Sequence, residues 1–177
     1  HNLEIIKLIK QHINGLNKVS NERVYDEIKK ILSLKNIYSL FLNPLSKDII
    51  LNIFPQFKFY ERLKIPNNMN QELKNKYDYK LILGLLIIDE TDNYDFFCYK
   101  YKTSNQIKEK FKNISKNFNN LKDKKFYTEK NIKKLIYYNG KDAVKDILLF
   151  SACANNKLKN FDIEKLLNYV NDCKIPK

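Results

Sequence analysis

The run LILGLLII, residues 81–88, carries no polar side chain and decides the fold class of this 177-residue chain. A helix that is apolar on every side belongs at the centre of a helical bundle. A buried strand is the competing interpretation of so short an apolar run, but the neighbouring sequence offers no partner strands to complete a sheet. We therefore predict a buried helix over residues 77–89.

The segments around this run have the spacing of core-facing helices. Residues 24–32 place aliphatic side chains at i, i+4, i+7 and i+8, after Ser20 as an N-cap. Pro55 and Pro66 bound a further short helix over residues 56–64, and Gly140 is placed to end another. Comparable apolar stripes recur over residues 3–13, 107–118, 143–154 and 161–170. Only three glycines and four prolines are present to make turns, which argues against a sandwich or barrel. We predict an all-α fold, a curved array of about ten helices.

The formal net charge is +13, from 33 basic and 20 acidic residues. Such an excess favours a polyanionic partner, which is nucleic acid, an anionic membrane or an acidic protein. The chain is also crowded with Lys, Asn, Ile and Tyr, which is typical of an AT-rich genome and raises the lysine content without selection for binding. Composition alone therefore leaves both interpretations open.

Cysteine and histidine usage argues against a metal site. Cys98, Cys153 and Cys173 are widely spaced without a C-x-x-C pair, and the two histidines, His1 and His12, lie near the start. The longest apolar run is far short of the roughly 20 residues that a membrane span needs.

We expect a chain of the reducing cytoplasm, with no metal and no membrane insertion. Because it begins without Met inside an apparent helix, we also expect a fragment of a longer protein.

Catalytic motifs are missing. The sequence has no Gly-rich phosphate loop, no H-E-x-x-H and no G-x-S-x-G. Carboxylates cluster at Asp89, Glu90, Asp92 and Asp95, which two metal ions could use. A solvated turn between two helices is the alternative interpretation, and we predict no catalytic residue.

Positive charge is concentrated over residues 100–134, where twelve lysines face three acidic residues, a net charge of +9. Lys108, Lys112 and Lys116 step by four, so they share one helix face and rise about 6 Å per step, close to the spacing of phosphates along a strand. Phosphate contacts of this kind give affinity without sequence reading. A solvated face that nothing touches is the alternative. Candidate RNA contacts are Lys100, Lys102, Lys108, Lys112 and Lys116, together with Arg62 and Lys64 outside the segment.

Five tyrosines lie in or beside this basic segment. They are Tyr99, Tyr101, Tyr127, Tyr137 and Tyr138. Aromatic rings among lysines can stack on unpaired bases. They can equally pack in the core with the hydroxyl reaching solvent, and we expect the core for most of them.

Three stretches resemble segments of bacterial CCA-adding tRNA nucleotidyltransferases and their poly(A) polymerase relatives. VSNERVYDEIKKIL, residues 19–32, is similar to the segment near the end of the neck in that family, which reads I/V-S-x-E-R-I-x-x-E-L-x-K-I-L. YKTSNQIKEKF, residues 101–111, resembles a body motif of the form L-K-L-S-N-x-x-K, and residues 137–152 resemble a tail segment. The first stretch matches at Ser20, Glu22, Arg23, Glu27, Lys30, Ile31 and Leu32.

Glu22, Arg23 and Glu27 form a motif within the first of these stretches that we interpret as structural. Arg23 is one of two arginines in a chain that otherwise uses lysine, and a guanidinium favours planar, forked interactions. Glu27, four residues on, is the expected partner within the helix. A phosphate contact is the alternative role for Arg23.

The resemblance implies a neck–body–tail arrangement of the all-α type. Residues 1–35 would be the end of a neck-like helical region, residues 36–125 a helical body and residues 126–177 a helical tail, with polar residues 119–125 as the linker. In the family these parts grip the tRNA acceptor–TΨC arm and hold its 3′ end in the active site. The intact protein would add CMP and AMP to tRNA 3′ ends, or build poly(A), with this portion packed against a head and neck.

The family's catalytic motifs have no counterpart in this sequence. The head motifs G-S and D-x-D, which hold Mg²⁺, and the neck motif E-D-x-x-R, which selects CTP or ATP, are absent. We therefore expect no cofactor in this chain, with Mg²⁺ and CTP or ATP in a head and neck outside it. The expected function is RNA binding without activity of its own. The alternative is a helical protein-interaction domain whose charge reflects genome composition.

Overall fold

The computed structural model describes residues 3–154 and 160–174, and every regular element within those ranges is a helix. The α-helices are α1 (Leu3–His12), α2 (Asn21–Leu32), α3 (Tyr38–Leu42), α4 (Pro44–Ile53), α5 (Lys64–Asn67), α6 (Gln71–Lys74), α7 (Tyr79–Ile87), α8 (Asn93–Lys100), α9 (Asn105–Asn117), α10 (Glu129–Ala154) and α11 (Asn160–Asp172). Short 3-10 helices span Ile13–Lys18, Tyr60–Leu63, Phe118–Lys122 and Lys124–Tyr127. The all-α prediction is confirmed. The predicted tail also includes residues 155–159 and 175–177, which lie outside the described residues.

Helix α7 forms the centre of the molecule. All its residues over positions 81–87 are buried, and it packs against α2, α8 and α10. Asp78 begins the helix, because its carboxylate accepts a hydrogen bond from the amide of Leu81 at 2.8 Å. The buried helix predicted over residues 77–89 is confirmed, and it is two residues shorter at each end.

Helices α9 and α10 complete the core beside α7. The inward face of α9 carries Ile107, Phe111 and Ile114, all buried as the apolar stripe predicts. Gly84 lets α9 lie close to α7, since a β-carbon at that position would sit 3.3 Å from the ring of Phe111. α10 changes direction at Gly140, whose φ of 81° is a value that glycine adopts without steric cost. The predicted break is confirmed, but no loop follows it.

The helix predicted over residues 56–64 is wrong over its first half. The chain turns after Pro55, and regular structure resumes only with the 3-10 helix Tyr60–Leu63. The reason is tertiary, because Phe57 is buried in a stack with Phe54 at 5.1 Å between ring centroids. The amide of Phe59 also donates to the carbonyl of Leu86 on α7 at 3.2 Å, a bond that an α-helix would have used internally.

The linker predicted over residues 119–125 lies between α9 and α10 and has regular structure. These residues belong largely to two 3-10 helices that bury Leu121 and Phe126. The hydroxyl of Tyr127 donates to the carbonyl of Leu121 at 2.7 Å and ties the two turns together. Because α10 packs against both α7 and α9, the following segment joins the same core. The division at residues 1–35, 36–125 and 126–177 stays a prediction.

Candidate nucleic-acid interface

A surface groove of about 580 Å³ lies where the start of α2 meets the turn between α8 and α9. Its lining includes Asn21, Phe96, Cys98, Tyr99, Lys100, Lys102, Thr103, Asn105 and Lys108. The groove therefore gathers three of the predicted RNA contacts, Lys100, Lys102 and Lys108, on one surface. It also joins residues from the two sequence stretches at 19–32 and 101–111.

The turn after α8 explains how these lysines come to face the groove. Phe97 and Tyr101 are buried and pack at 4.6 Å between ring centroids, so they anchor the end of α8 in the core. Lys102 then adopts a φ of 48°, a left-handed conformation that a non-glycine residue rarely takes. The amide of Thr103 closes the turn on the carbonyl of Cys98 at 3.1 Å. Lys100 and Lys102 are left on the outside.

Two of the three groove lysines are paired with carboxylates. Lys102 lies 2.6 Å from Glu22, and Lys108 lies 2.9 Å from Asp95. The hydrogen bond to Glu22 raises the pKa of Lys102, and it lowers the pKa of Glu22 in return. The hydrogen bond to Asp95 likewise raises the pKa of Lys108. Glu22, Lys102 and Lys108 are exposed, whereas Asp95 is partly buried and its pairing oxygen Oδ1 is shielded from solvent. Solvent therefore screens the Lys102–Glu22 pair most strongly, and Lys102 can exchange its partner for a ligand.

Lys100 has a different environment from these two. Its ammonium lies 5.1 Å from the ring centroid of the buried Tyr101. This contact positions the side chain without neutralising its charge. Two of the three ammonium groups that line the groove are thus paired with carboxylates, so its excess of positive charge is small.

The lysine row of α9 continues from the groove along the helix. Lys108 and Lys116 are exposed and Lys112 is partly exposed, opposite the buried stripe, so the predicted outward face is confirmed. Lys112 pairs with Glu109 at 3.5 Å. Among the residues that the structure describes, Lys116 has no such partner. Its ammonium is therefore the one in this row that is free to meet a phosphate.

Arg62 is partly buried and bonded to backbone carbonyls, which argues against its predicted role as an RNA contact. Its Nη1 donates to the carbonyls of Ile88 at 2.7 Å and Leu85 at 3.2 Å, at the end of α7. The guanidinium lies 4.0 Å from the ring centroid of Phe59, and burial lowers the pKa of Arg62 to about 10. It remains charged at neutral pH, and its role is to satisfy the free carbonyls of a buried helix end. Lys64 is exposed but does not line the groove.

The predicted pairing of Arg23 with Glu27 is wrong. Glu27 instead pairs with Lys30 at 2.6 Å, the arrangement with the acid N-terminal to the base that the helix dipole favours. The backbone amide of Arg23 donates to the hydroxyl of Ser20 at 3.4 Å, so the predicted cap of α2 is confirmed. The guanidinium is exposed, and the described part of the chain provides it with no carboxylate. It lines a second, open groove together with Asp26, Glu27, Lys29, Lys30, Ser33 and Tyr79.

The tyrosines divide between core and surface, contrary to the expectation that most are internal. Tyr101 is buried and Tyr127 partly buried, whereas Tyr99, Tyr137 and Tyr138 are exposed. The signal that could have found this is spacing, because Ile132 and Ile136 form the buried stripe of this part of α10 and both Tyr137 and Tyr138 fall outside it. Exposed Phe96, three residues before Tyr99 on α8, was not predicted as a surface residue.

The acidic cluster at residues 89–95 is divided among separate partners. Asp89 accepts hydrogen bonds from the amide and hydroxyl of Thr91 at 2.8 and 2.6 Å, and so holds the turn after α7. Glu90 pairs with Lys122 at 2.9 Å, while Asp95 pairs with Lys108. Across residues 3–154 and 160–174, no three Asp, Glu, His or Cys side chains are grouped to hold a metal ion.

The first third of the chain matches a known family. Residues 3–60 match a family described as "probable RNA and SrmB-binding site of polymerase A". This match relates the segment to poly(A) polymerases, and it includes α2 and the motif residues Glu22, Arg23 and Glu27. No curated protein matches the chain with significance, and no solved structure does either.

No helix in the described ranges combines the length and the apolar character that crossing a bilayer requires.

Proposed function

We propose that this chain is the RNA-binding part of a nucleotidyltransferase related to poly(A) polymerase. The observation that carries the proposal is the ion pair between Glu22 and Lys102, at 2.6 Å. Glu22 belongs to the segment that matches the RNA-binding family, and Lys102 belongs to the basic segment. The pair brings both to one groove, so the family match and the charge concentration point to the same surface.

The contacts in this proposal are mainly to phosphate. Lys116 and Arg23 present charges with no carboxylate partner among the described residues, while Lys100, Lys102 and Lys108 line the groove. Such contacts hold an RNA strand in position and carry no sequence information. A helical surface of this kind suits folded RNA, which proteins read chiefly through phosphates and 2′-hydroxyls.

The finer proposal is that the RNA is tRNA, held by its acceptor–TΨC arm. The whole protein would then add CMP and AMP to the 3′ end. Catalytic residues, Mg²⁺ and CTP or ATP would belong to a head and neck outside this chain. Packing against that head and neck is supported by the exposed apolar side chains of Ile5, Leu8 and Ile9 on α1.

The test is the salt dependence of tRNA binding. We compare the native chain with a variant in which Lys108, Lys112 and Lys116 are replaced by Gln. Each lost phosphate contact should reduce the log–log slope by about 0.7–0.9. In the control variant Lys35, Lys76 and Lys165 are replaced by Gln. This variant loses the same three positive charges, but outside residues 100–134. Equal slopes for the two triple variants would overturn the proposal.

A protein-interaction domain is the second candidate function. It is favoured by exposed large apolar side chains in the first part of the chain, among them Leu34 in the turn after α2 and Leu42 at the end of α3. Native electrophoresis with tRNA and with an unrelated acidic protein separates the two functions. A shift with tRNA alone supports RNA binding, and equal shifts support an interaction governed by charge.

A further inference from the structure

The groove between α2 and the α8–α9 turn contains two exposed aromatic rings that phosphate binding does not require. Tyr99 is 84% exposed and Phe96 is 54% exposed. The two rings are three residues apart on α8, so they share a face of the helix, and both line the groove. The structure thus places two apolar ring surfaces in water at the same groove as three lysines.

The small net charge of the groove also indicates that contacts other than ion pairs contribute to binding there. Because Glu22 and Asp95 offset two of the three ammonium groups, electrostatic attraction alone is weak at this position. An exposed ring costs free energy in water unless something covers it. Stacking on a flat base covers it, and base–aromatic stacking tolerates any sequence because every base has a π face.

A phosphate has further donors beside the rings. Ser104 occupies the N-cap position of α9 with an extended backbone, but its side chain accepts no hydrogen bond from the first turn of the helix. The amide of Ile107 donates instead to the carbonyl of Ser104 at 3.0 Å, so the amides of Asn105 and Gln106 are the ones left as donors next to Lys102 and Lys108. They add to the lysines as donors to an anion.

We propose that this groove binds one unpaired nucleotide of RNA, with the base stacked on Tyr99 and Phe96 and the phosphate held by Lys100, Lys102 and Lys108. The proposal rests on the RNA-binding function proposed above and deepens it. The base must be unpaired, because bases inside a duplex stack on each other and leave no face for a side chain. The volume of about 580 Å³ falls in the range of roughly 300–1,000 Å³ of sites that hold small molecules.

The test uses the full chain and two labelled RNAs, a mixed-sequence single strand of about 12 nucleotides and a blunt duplex of the same length, with binding followed by fluorescence anisotropy. Tyr99→Ala should weaken single-strand binding about 5- to 150-fold, the effect of losing one stacked base. Tyr99→Phe retains the ring and should bind within about twofold of the native chain. Duplex binding and the salt slope should not change, because no charge is removed.

Tyr138→Ala is the matched control, since Tyr138 is an exposed tyrosine that does not line this groove. It should bind the single strand as the native chain does. A single strand carrying 2-aminopurine reports stacking directly, because its fluorescence should be quenched by the native chain and by Tyr99→Phe but not by Tyr99→Ala.

The outcomes separate this inference from the function on which it rests. If the native chain binds neither RNA, the proposed function fails and the inference fails with it. If the lysine variants change the salt slope but Tyr99→Ala behaves like Tyr138→Ala, only the stacking site is overturned. Equal losses for single strand and duplex in Tyr99→Ala would also overturn it.

Discussion

The ammonium of Lys102 lies 2.6 Å from the carboxylate of Glu22, and this pair joins segments that are 80 residues apart in the sequence. Lys102 takes its place through a left-handed turn, and Glu22 through the first turn of α2. The contact therefore depends on how α2 packs beside the end of α8. It also holds a carboxylate at the groove where an RNA phosphate would bind.

Removal of that carboxylate should strengthen RNA binding. In Glu22→Gln, Lys102 loses a competing anion, and the groove gains one unit of net charge. We expect tRNA affinity at low salt to rise about two- to fivefold, the size of one charge interaction in water. Glu72→Gln is the control, because Glu72 pairs with Lys76, a lysine that does not line the groove. An equal effect of both substitutions would show that only total charge matters.

Arg62 should govern stability and not RNA binding. Arg62→Gln removes a charged donor from the carbonyls of Leu85 and Ile88, so we expect the free energy of unfolding to fall by about 2–3 kcal/mol in urea denaturation. The salt slope of tRNA binding should stay unchanged. Lys64→Gln, two residues away and exposed, is the control for stability. If Arg62→Gln reduced the salt slope of tRNA binding and kept native stability, Arg62 would be an RNA contact after all.

Asp146 should give the fold a dependence on pH. Burial raises the pKa of Asp146 above its ordinary 3.8, although Lys110 at 3.0 Å opposes the shift and Asp78 and Asp142 reinforce it. The folded state therefore binds this proton more tightly than the unfolded state. By linkage, its contribution to stability falls as pH rises from 3.8 through the raised value.

The measurement for Asp146 is urea unfolding of the native chain and of Asp146→Asn between about pH 4 and pH 7. Relative to the variant, the native chain should lose stability as the pH rises, because other titrating groups cancel in the difference. Asp142→Asn removes an exposed carboxylate on the same helix and should keep most of the native pH dependence, because burial is the main cause of the shift and Asp142 only reinforces it. A constant difference between native chain and Asp146→Asn would contradict the prediction.

Gly140 should be required for the bend in α10. Its φ of 81° and ψ of 161° lie in a region that is essentially restricted to glycine. Nothing lies within 4 Å of a β-carbon built there, so the cost of Gly140→Ala comes from the backbone alone. We expect a loss of about 1–3 kcal/mol in the free energy of unfolding. Gly15→Ala, also in open space but without a positive φ, should cause no such loss.

Local periodicity was sufficient for the helices and for the outward face of α9. The apolar run at residues 81–88 and the stripe of Ile107, Phe111 and Ile114 each depend on neighbours within one or two turns, and both predictions are confirmed. The local prediction of a helix over residues 56–64 was wrong in its first half, because the chain turns there to bury Phe57 in the core. Local signals also missed the buried turns at Leu121 and Phe126, since apolar residues are few there.

The contact partners and the solvent exposure of individual side chains were determined by tertiary packing and not by local periodicity. Arg62 meets the end of α7, Glu22 meets Lys102, and Tyr99 faces solvent beside Phe97 and Tyr101 in the core. Sequence spacing places side chains only on their own helix, and it carries no information on which helix end lies opposite. Residues far apart in the chain meet only after the helices have packed, and packing alone therefore determined which lysines share a groove and which cation lies inside.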